Sequence, residues 1–401
     1  MSAPVVLVIN AGSSSVKFAA YEVEGESLRQ ARWRGQVEGI PSDPTLSISE
    51  GERRIVADET LKTSDVGDHA GALKVALERL FRLFGRERLL AAGHRVVHGG
   101  AIFGAPTRID AATLAQLDAL VPLAPLHQPH NISGVRAVAE IAPGLPQVVC
   151  FDTSFHRTMP AVASTIALPR ELRELGLRRY GFHGISYSYI AGLMSQRLSE
   201  NERRRAVVAH LGNGASLCAM RDGKSVETTM GFSALDGLMM GTRCGMLDPG
   251  VLLYLMRERG DDVESLEELL YRRCGLLGLS GVSADMRKVL ASGAPEAKLA
   301  ADQFVYRIVR EVGALASVLG GLDSLVFTAG IGERSAEIRA RVCAGLEWLG
   351  LRFDPEANAG SSERISAPDS RIAAFVLPTD EERVIASETV ALVAGSREPA
   401  A

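Results

Sequence analysis

Val5-Val6-Leu7-Val8-Ile9-Asn10-Ala11-Gly12-Ser13-Ser14-Ser15-Val16-Lys17 opens the chain with an apolar run, a polar Gly/Ser turn and the start of an apolar alternation that continues to Val23. The first run predicts a fully buried strand, and two such runs across a turn predict a hairpin. The same plan returns about two hundred residues later: residues 206–211 are apolar, Gly212-Asn213-Gly214-Ala215-Ser216 is the turn, and 217–220 lead into Arg221-Asp222-Gly223-Lys224. Between the two, Leu73, Ala76, Leu77, Leu80, Leu83 and Phe84 recur at helical spacing and Gly85 closes the helix. A strand at 95–98, helices at about 112–120 and 132–141, and a strand at 147–151 follow. After the second hairpin come helices at 251–259, 263–273 and 297–319 and a buried-type strand at 324–328. A helix near 335–349, a strand at 372–377 and a helix from about Glu381 complete the chain.

Two halves that each open on a hairpin predict a duplicated α/β unit, with a ligand in the cleft between halves. Two unrelated α/β domains are the alternative. The 401 residues exceed what one core supports and point to two domains. Hydrophobic residues at 46% and charged residues at 23% exclude a disordered or fibrous chain. Lys+Arg 44 against Asp+Glu 48, a net charge of −4, argues against nucleic acid or anionic lipid as partner. No apolar stretch approaches the length of a membrane span, and the run ending at Ile9 is too short for a signal peptide. Cys150, Cys218, Cys244, Cys274 and Cys343 are scattered and read as buried free thiols in a reducing cytoplasm. The eight histidines form no zinc motif.

The first turn offers backbone N–H groups and hydroxyls to phosphate oxygens. Lys17 adds a point charge, and Asn10 can present a carbonyl oxygen to magnesium or its waters. It is not a Walker A loop. His210-Leu211-Gly212-Asn213-Gly214 offers the same chemistry from the second half, although Asn-Gly is also an ordinary hairpin dipeptide. Arg95 lies in Gly93-His94-Arg95-Val96-Val97-His98-Gly99-Gly100, His183 in Tyr180-Gly181-Phe182-His183-Gly184, and Arg243 in Met240-Gly241-Thr242-Arg243-Cys244-Gly245. An arginine in such a run needs an anion or a structural partner. Two of them with a histidine near glycine turns suit a transferring phosphoryl group. Asp152 ends a buried-type strand, where open α/β sheets present ligand-facing residues. Glu381 reads as a magnesium contact or as an acidic first helical turn. Gly330-Ile331-Gly332 would let a nucleobase or ribose approach the backbone. Asp285-Met286-Arg287 adds polar groups with no signature of its own.

Taken together and in order, the segments 8–17, 93–100 and 151–156, with 179–184, 210–216, 237–243 and 327–333, resemble acetate kinases, across nearly the whole chain. The resemblance implies an α/β fold of two duplicated actin-like ATPase (ribonuclease H-like) domains with an interdomain cleft. The first would span 1–152, with a C-terminal helix of about 384–401 returning to it. The second, over 153–383, would carry the nucleotide and the dimer contact. It further implies a cytoplasmic homodimer that exchanges phosphoryl between ATP/ADP and acetate/acetyl phosphate with Mg²⁺, or Mn²⁺ in its place, and neither nucleic acid nor membrane as partner.

Carried over by position, Asn10 and Glu381 associate with the metal, and Lys17 contacts nucleotide phosphate. Arg95 binds the carboxylate, Asp152 is the catalytic acid/base position, and His183 and Arg243 stabilise the transition state. His210, Leu211, Gly212, Asn213 and Gly214 bind nucleotide, as do Asp285, Met286 and Arg287, and Gly330, Ile331, Gly332, Glu333 and Arg334. Val97, Leu126, Phe182 and the position of Ala234 line a methyl pocket.

Departures from the usual pattern include Ala234 in place of a proline, which enlarges that pocket, and Ile185 and Tyr187 within the usual G-T-S-H. Cys244 and Met246 stand in the usual G-T-R-S-G-D, Met286 in D-F-R, and Arg334 ends the usual G-I-G-E-N. The enzyme alternative is a propionate- or butyrate-preferring kinase on the same scaffold. A nucleotide-gated switch of actin or Hsp70 type would need a partner-binding segment and would leave Arg95, His183 and Arg243 without purpose.

Overall fold

The structure, a computed structural model, describes residues 3–12, 15–25, 27–40, 42–64 and 66–394. Ser13 and Ser14 of the first turn, and residues 395–401 of the expected last helix, lie outside the described residues. The chain divides into two units, one within Met1–Ser154 and Asp380–Ala401 and the other Phe155–Thr379.

In the first unit β1 (Val5–Ala11) and β2 (Ser15–Glu24) form the antiparallel hairpin read from the opening stretch. Then come β3 (Ser27–Glu38), β4 (Thr45–Glu50), β5 (Arg53–Thr60), β6 (Leu89–Val96), β7 (Thr107–Arg108) and β8 (Gln147–Phe151). They pair in the order β5-β4-β3-β2-β1-β6-β8-β7. Residues Val5, Leu7 and Ile9 share one core with Leu73, Ala76, Leu77 and Leu80 of the helix His69–Phe84 and with Ala137 and Val138 of the helix Gln128–Ile141. The alternation of a strand sends Val6 and Val8 to the other face. There the helix Glu381–Ala394 packs so closely that a Cβ on Gly93 of β6 would stand 2.3 Å from Thr389 Oγ1. Because this helix starts at Glu381, the chain returns to the first unit at Asp380 and not at 384.

The second unit holds β9 (Arg205–Leu211), β10 (Ala215–Arg221), β11 (Lys224–Thr228), β12 (Ser324–Thr328) and β13 (Ala373–Val376), in the order β11-β10-β9-β12-β13. The helix Gly184–Arg197 supplies Tyr187, Ile190 and Met194 to a core with Val208, Cys218 and Val326. The helix Pro295–Leu319 also packs against β9, β10 and β11. The two sheets share one plan. β3-β2-β1 and β11-β10-β9 are antiparallel ribbons, and β1-β6-β8 and β9-β12-β13 continue them in parallel.

Several expectations need correction. The strand placed at 95–98 is Leu89–Val96. It stops there because the Val97 and His98 N–H groups turn to Asn131 Oδ1 and Gln128 Oε1, at 2.9 and 3.3 Å, and leave the ladder. Gly330-Ile331-Gly332 lies inside a short helix, Ala329–Arg334. The five cysteines are all free, but only Cys150, Cys218 and Cys343 are buried; Cys244 and Cys274 are partly exposed. Among the described residues no helix is long and apolar enough to cross a membrane.

Candidate active site

In the first unit the ends of β1, β6 and β8 bring three of the expected residues into contact. Arg95 Nε donates to Asp152 Oδ1 at 3.1 Å, its Nη2 donates to Oδ2 at 2.5 Å, and its Nη1 donates to Asn10 Oδ1 at 3.1 Å. The parallel register sets this up, since Arg95 stands opposite Cys150 and the next turn delivers Asp152. Asp152 is 1% exposed at its side chain and Arg95 19%. Burial works against the Arg95 charge, yet the Asp152 carboxylate holds the guanidinium charged well above its ordinary range. Glu381, at the first position of its helix, belongs to the same electrostatic group. Burial and the carboxylates of Asp152 and Glu382 push its carboxyl up to about 7, against the pull of Arg95 and Lys17.

Lys17 stands opposite Asn10 in the hairpin ladder, with its side chain exposed in a shallow pocket beside Arg34 and Glu382. Val97 is buried and its N–H is held by Asn131, while Leu126 is half-buried.

In the second unit His183 caps the helix Gly184–Arg197 from the left-handed region, at φ 60°. Its ring stacks on that of His210, with centroids 4.1 Å apart. Its Nδ1 meets Ser216 Oγ at 2.8 Å, and Tyr187 OH meets the same oxygen at 2.5 Å. His210 Nδ1 is in turn 2.8 Å from Ser186 Oγ. Gly214 of the second turn has no room for a side chain: a Cβ there would lie 2.8 Å from Arg243 Nη2 and 3.1 Å from His183 Nε2. Arg243 Nη1 donates to the Ala234 carbonyl at 2.7 Å. Thus His183, His210, Gly214, Arg243 and Ala234 form one neighbourhood.

Beside it lies a cavity of about 490 Å³ lined by Gly212, Asn213, Asp285, Met286, Arg287, Gly330, Ile331 and Arg334, all expected in nucleotide binding. Ser283, Ala284 and Ser335 line it as well and were not foreseen. Leu211 is wholly buried and Gly332 is buried. Glu333 Oε1 accepts from the Ala329 and Thr379 N–H groups at 2.8 and 3.1 Å, so this carboxylate is committed to backbone. Phe182 is 2% exposed, and its carbonyl accepts from His156 Nε2 at 2.9 Å. Sequence reading also missed Ser186, Ser216 and Tyr187 as orienting groups. Ser216 was visible only as a turn residue, and Tyr187 only as a departure from a pattern.

Among the described residues no group of three or more His, Cys, Asp or Glu could cage a metal. Magnesium seldom uses such a cage; it is usually held by one or two carboxylates together with substrate phosphates. Glu381 and Asn10 supply all-oxygen donors of that kind, and the raised Glu381 carboxyl belongs to a place where added positive charge favours ionisation. The residues therefore fit a phosphate-borne divalent cation.

The description "Acetokinase family" matches residues 5–387. A relative called acetate kinase from Rhodopseudomonas palustris is 51% identical over 400 residues, covering 98% of this chain and 99% of its own. The crystal structure of Porphyromonas gingivalis acetate kinase superposes with a TM-score of 0.86 at 38% identity, over 97% of this chain and 100% of that one. The structure of a propionate kinase from Francisella tularensis gives 0.89 at 38% identity, over 96% and 98%.

Proposed function

Because the chain belongs to the acetokinase family, we propose that it moves the γ-phosphoryl group of ATP reversibly to acetate, giving acetyl phosphate and ADP. The observation that carries this reading is the approach of Arg243 Nη2 and His183 Nε2 to Gly214, in the turn whose Gly212 and Asn213 line the cavity. An acetate oxygen attacks the γ-phosphorus in line while the bond to the β-phosphate oxygen breaks. A carboxylate is already ionised at neutral pH, so the chemistry calls for alignment and charge neutralisation, with little base catalysis.

Arg95 has five N–H donors. Asp152 and Asn10 occupy three of them, leaving one on each terminal nitrogen for the acid's two oxygens. Asp152 is then a positioning residue for Arg95 and takes no proton. Arg243 and His183 meet the equatorial phosphoryl oxygens, and Ser216 fixes the imidazole through Nδ1. Ser283, Asp285 and Ile331 line the place for the nucleoside. Glu381 and Asn10 would hold magnesium, or manganese in its place, which when bound supplies positive charge to the phosphate oxygens.

A second reading, preference for propionate or butyrate, is favoured by Ala234, whose carbonyl holds Arg243 and whose side chain is smaller than the proline usual at this position. We also propose a cytoplasmic homodimer. Five free cysteines suit a reducing compartment, and the exposed Tyr254, Val263, Tyr306 and Trp348 of the second unit suit a subunit contact.

Hydroxylamine trapping of acyl phosphate with ATP, Mg²⁺ and acetate, propionate or butyrate tests the function. Acetate should give the largest kcat/KM, chelation should abolish product, and Mg²⁺ or Mn²⁺ should restore it. Hydroxamate from none of the acids would refute the reading; a maximum at propionate would install the second one.

A further inference from the structure

Within the second unit, two stretches about thirty residues apart are bonded backbone to backbone. The Cys274 N–H donates to the Thr242 carbonyl at 3.0 Å, that of Leu276 to Met240 at 2.8 Å and that of Leu277 to Gly241 at 2.9 Å. Thr242 Oγ1 closes the other end on the Tyr271 carbonyl at 2.7 Å. Gly275, at φ 64°, lies so close that a Cβ would stand 2.2 Å from the Met240 oxygen and 2.8 Å from that of Arg243. This pinned crossing sets Cys274 against Thr242 and Gly275 against Arg243, so that the side chains of Cys244 and Cys274 lie beside each other. They are the two cysteines that burial does not seal off. One of them directly follows Arg243.

We propose that Cys244 and Cys274 form a redox site, closing to an intramolecular disulfide under a peroxide and reopening under a dithiol. Closure lowers turnover by displacing Arg243. The bond itself stands on the crossing of the two stretches; its effect on turnover rests on the role given to Arg243 above.

The oxidant is a hydroperoxide. A Cys274 thiolate attacks its O–O bond, forming the sulfenic acid and releasing hydroxide. The Cys244 sulfur then attacks the Cys274 sulfur, and the S–S bond forms as the S–O bond breaks. The hydroxyl leaves as water with the Cys244 proton, while the first hydroxide becomes water with the proton Cys274 gave up. Two thiols have lost two electrons and two protons, and one hydrogen peroxide has become two waters. Burial pushes both thiols up, Cys244 to about 11. Contact with Cys274 moves Cys244 further up, whereas that contact and Arg273 draw Cys274 back down. Cys274 therefore ionises first and Cys244 resolves the intermediate. Closure is slow near neutrality and accelerates as pH rises toward the thiol range.

The covalent S–S length of about 2.05 Å is far shorter than any non-bonded contact between two sulfurs. Closing thus draws Cys244 toward Cys274 and pulls on the backbone of Arg243, whose guanidinium is held by the Ala234 carbonyl and packs against Gly214.

The test treats the full-length reduced chain with graded hydrogen peroxide, removes the excess, and reads intact mass, peptide linkage and steady-state kinetics. Expected are a loss of about 2 Da without chain-to-chain crosslinking, one bridged peptide pair containing residues 244 and 274, and a several-fold fall in kcat. KM for ATP should stay within about twofold, and dithiothreitol should restore the starting rate. Cys274→Ser should match the reduced enzyme's kcat and ignore peroxide, and Cys244→Ser should do the same. Oxidation that stops at sulfinic acid, or bridges two chains, would overturn the redox site. A complete 244–274 bridge with unchanged kcat would overturn its coupling to turnover. If Arg243→Ala kept full turnover, the role of Arg243 would fall while the mass assay still decided the bond.

Discussion

In the first unit the ends of β1, β6 and β8 gather Asn10, Arg95 and Asp152 into an almost sealed ion network. In the second unit, the corresponding sheet presents two stacked imidazoles, a glycine turn and an arginine leaning on a main-chain carbonyl, beside an open cavity. The strand plan is the same, and both sites use the carboxyl ends of parallel strands, where open α/β sheets offer their ligand-facing residues. The difference lies in what holds each arginine. Arg95 is fixed before any ligand arrives, by a carboxylate that shares its burial. Arg243 leans on a main-chain oxygen, the Ala234 carbonyl, and packs against the turn glycine Gly214. On the function proposed above, the duplicated scaffold carries one arginine to hold the acid and one to meet the transferred group.

Removing the transferring arginine should have the largest effect. Arg243→Ala is expected to lower kcat by about a thousandfold, the scale seen when one preorganised transition-state donor is lost. Arg243→Lys should recover only part of it, because a point charge does not reproduce the planar fork. The measurement is kcat with saturating ATP and acetate. A wild-type rate for the alanine variant would erase the distinction between the two arginines.

The holding arginine should betray itself in stability. Asp152→Ala leaves the Arg95 guanidinium, 19% exposed, with Asn10 as its remaining partner in the network. Breaking a buried pair in this way costs about 3–5 kcal/mol. Asp152→Asn, which keeps an acceptor oxygen, should cost less. Urea unfolding gives the loss, and hydrogen exchange locates it: β1, β6 and β8 should open early while β9 and β12 keep their protection. Equal loosening of both sheets would contradict the assignment of the network to one unit.

What the sequence disclosed follows the same physical line. The two hairpins were legible because their first strands are covered on both faces and therefore spell continuous apolar runs. β3, β4 and β5 were missed although Trp33, Val37, Leu46 and Ile48 reach the core, because the residues around them are polar and largely exposed. Part of their cohesion comes from long polar side chains: Arg32 donates to Glu22 at 2.9 Å and to Glu50 at 2.8 Å, which carries no apolar period. Gly93 obscured the first part of β6, whose last residues were read as a strand; a side chain there would strike Thr389 and Ile385. Asn10, Arg95 and Asp152 could each be named from sequence, but their contact depends on the β6–β8 register, which no local pattern encodes. The approach of Cys274 to Cys244 was equally out of reach, since a turn pinned by Gly275 brings them together.

The smallest expected effect sharpens the comparison at the substrate's methyl end. The Ala234 carbonyl accepts from Arg243 Nη1 at 2.7 Å, and a proline at this position keeps that oxygen. Ala234→Pro therefore adds ring bulk without removing the acceptor that steadies the transferring arginine. One methylene in an apolar pocket is worth about 1–3 kcal/mol. The variant should accordingly retain most of its acetate activity while the propionate-to-acetate ratio of kcat/KM falls by about tenfold. Val97 offers the control from the first unit, since it is 5% exposed and its backbone N–H is tied to Asn131. Shortening it to alanine should widen acceptance where Ala234→Pro narrows it. If both ratios stayed at the wild-type value, neither residue would touch the acyl chain. The carboxylate on Arg95 is the same for every acid in the series, so selectivity would then have to come from other contacts along the acyl chain.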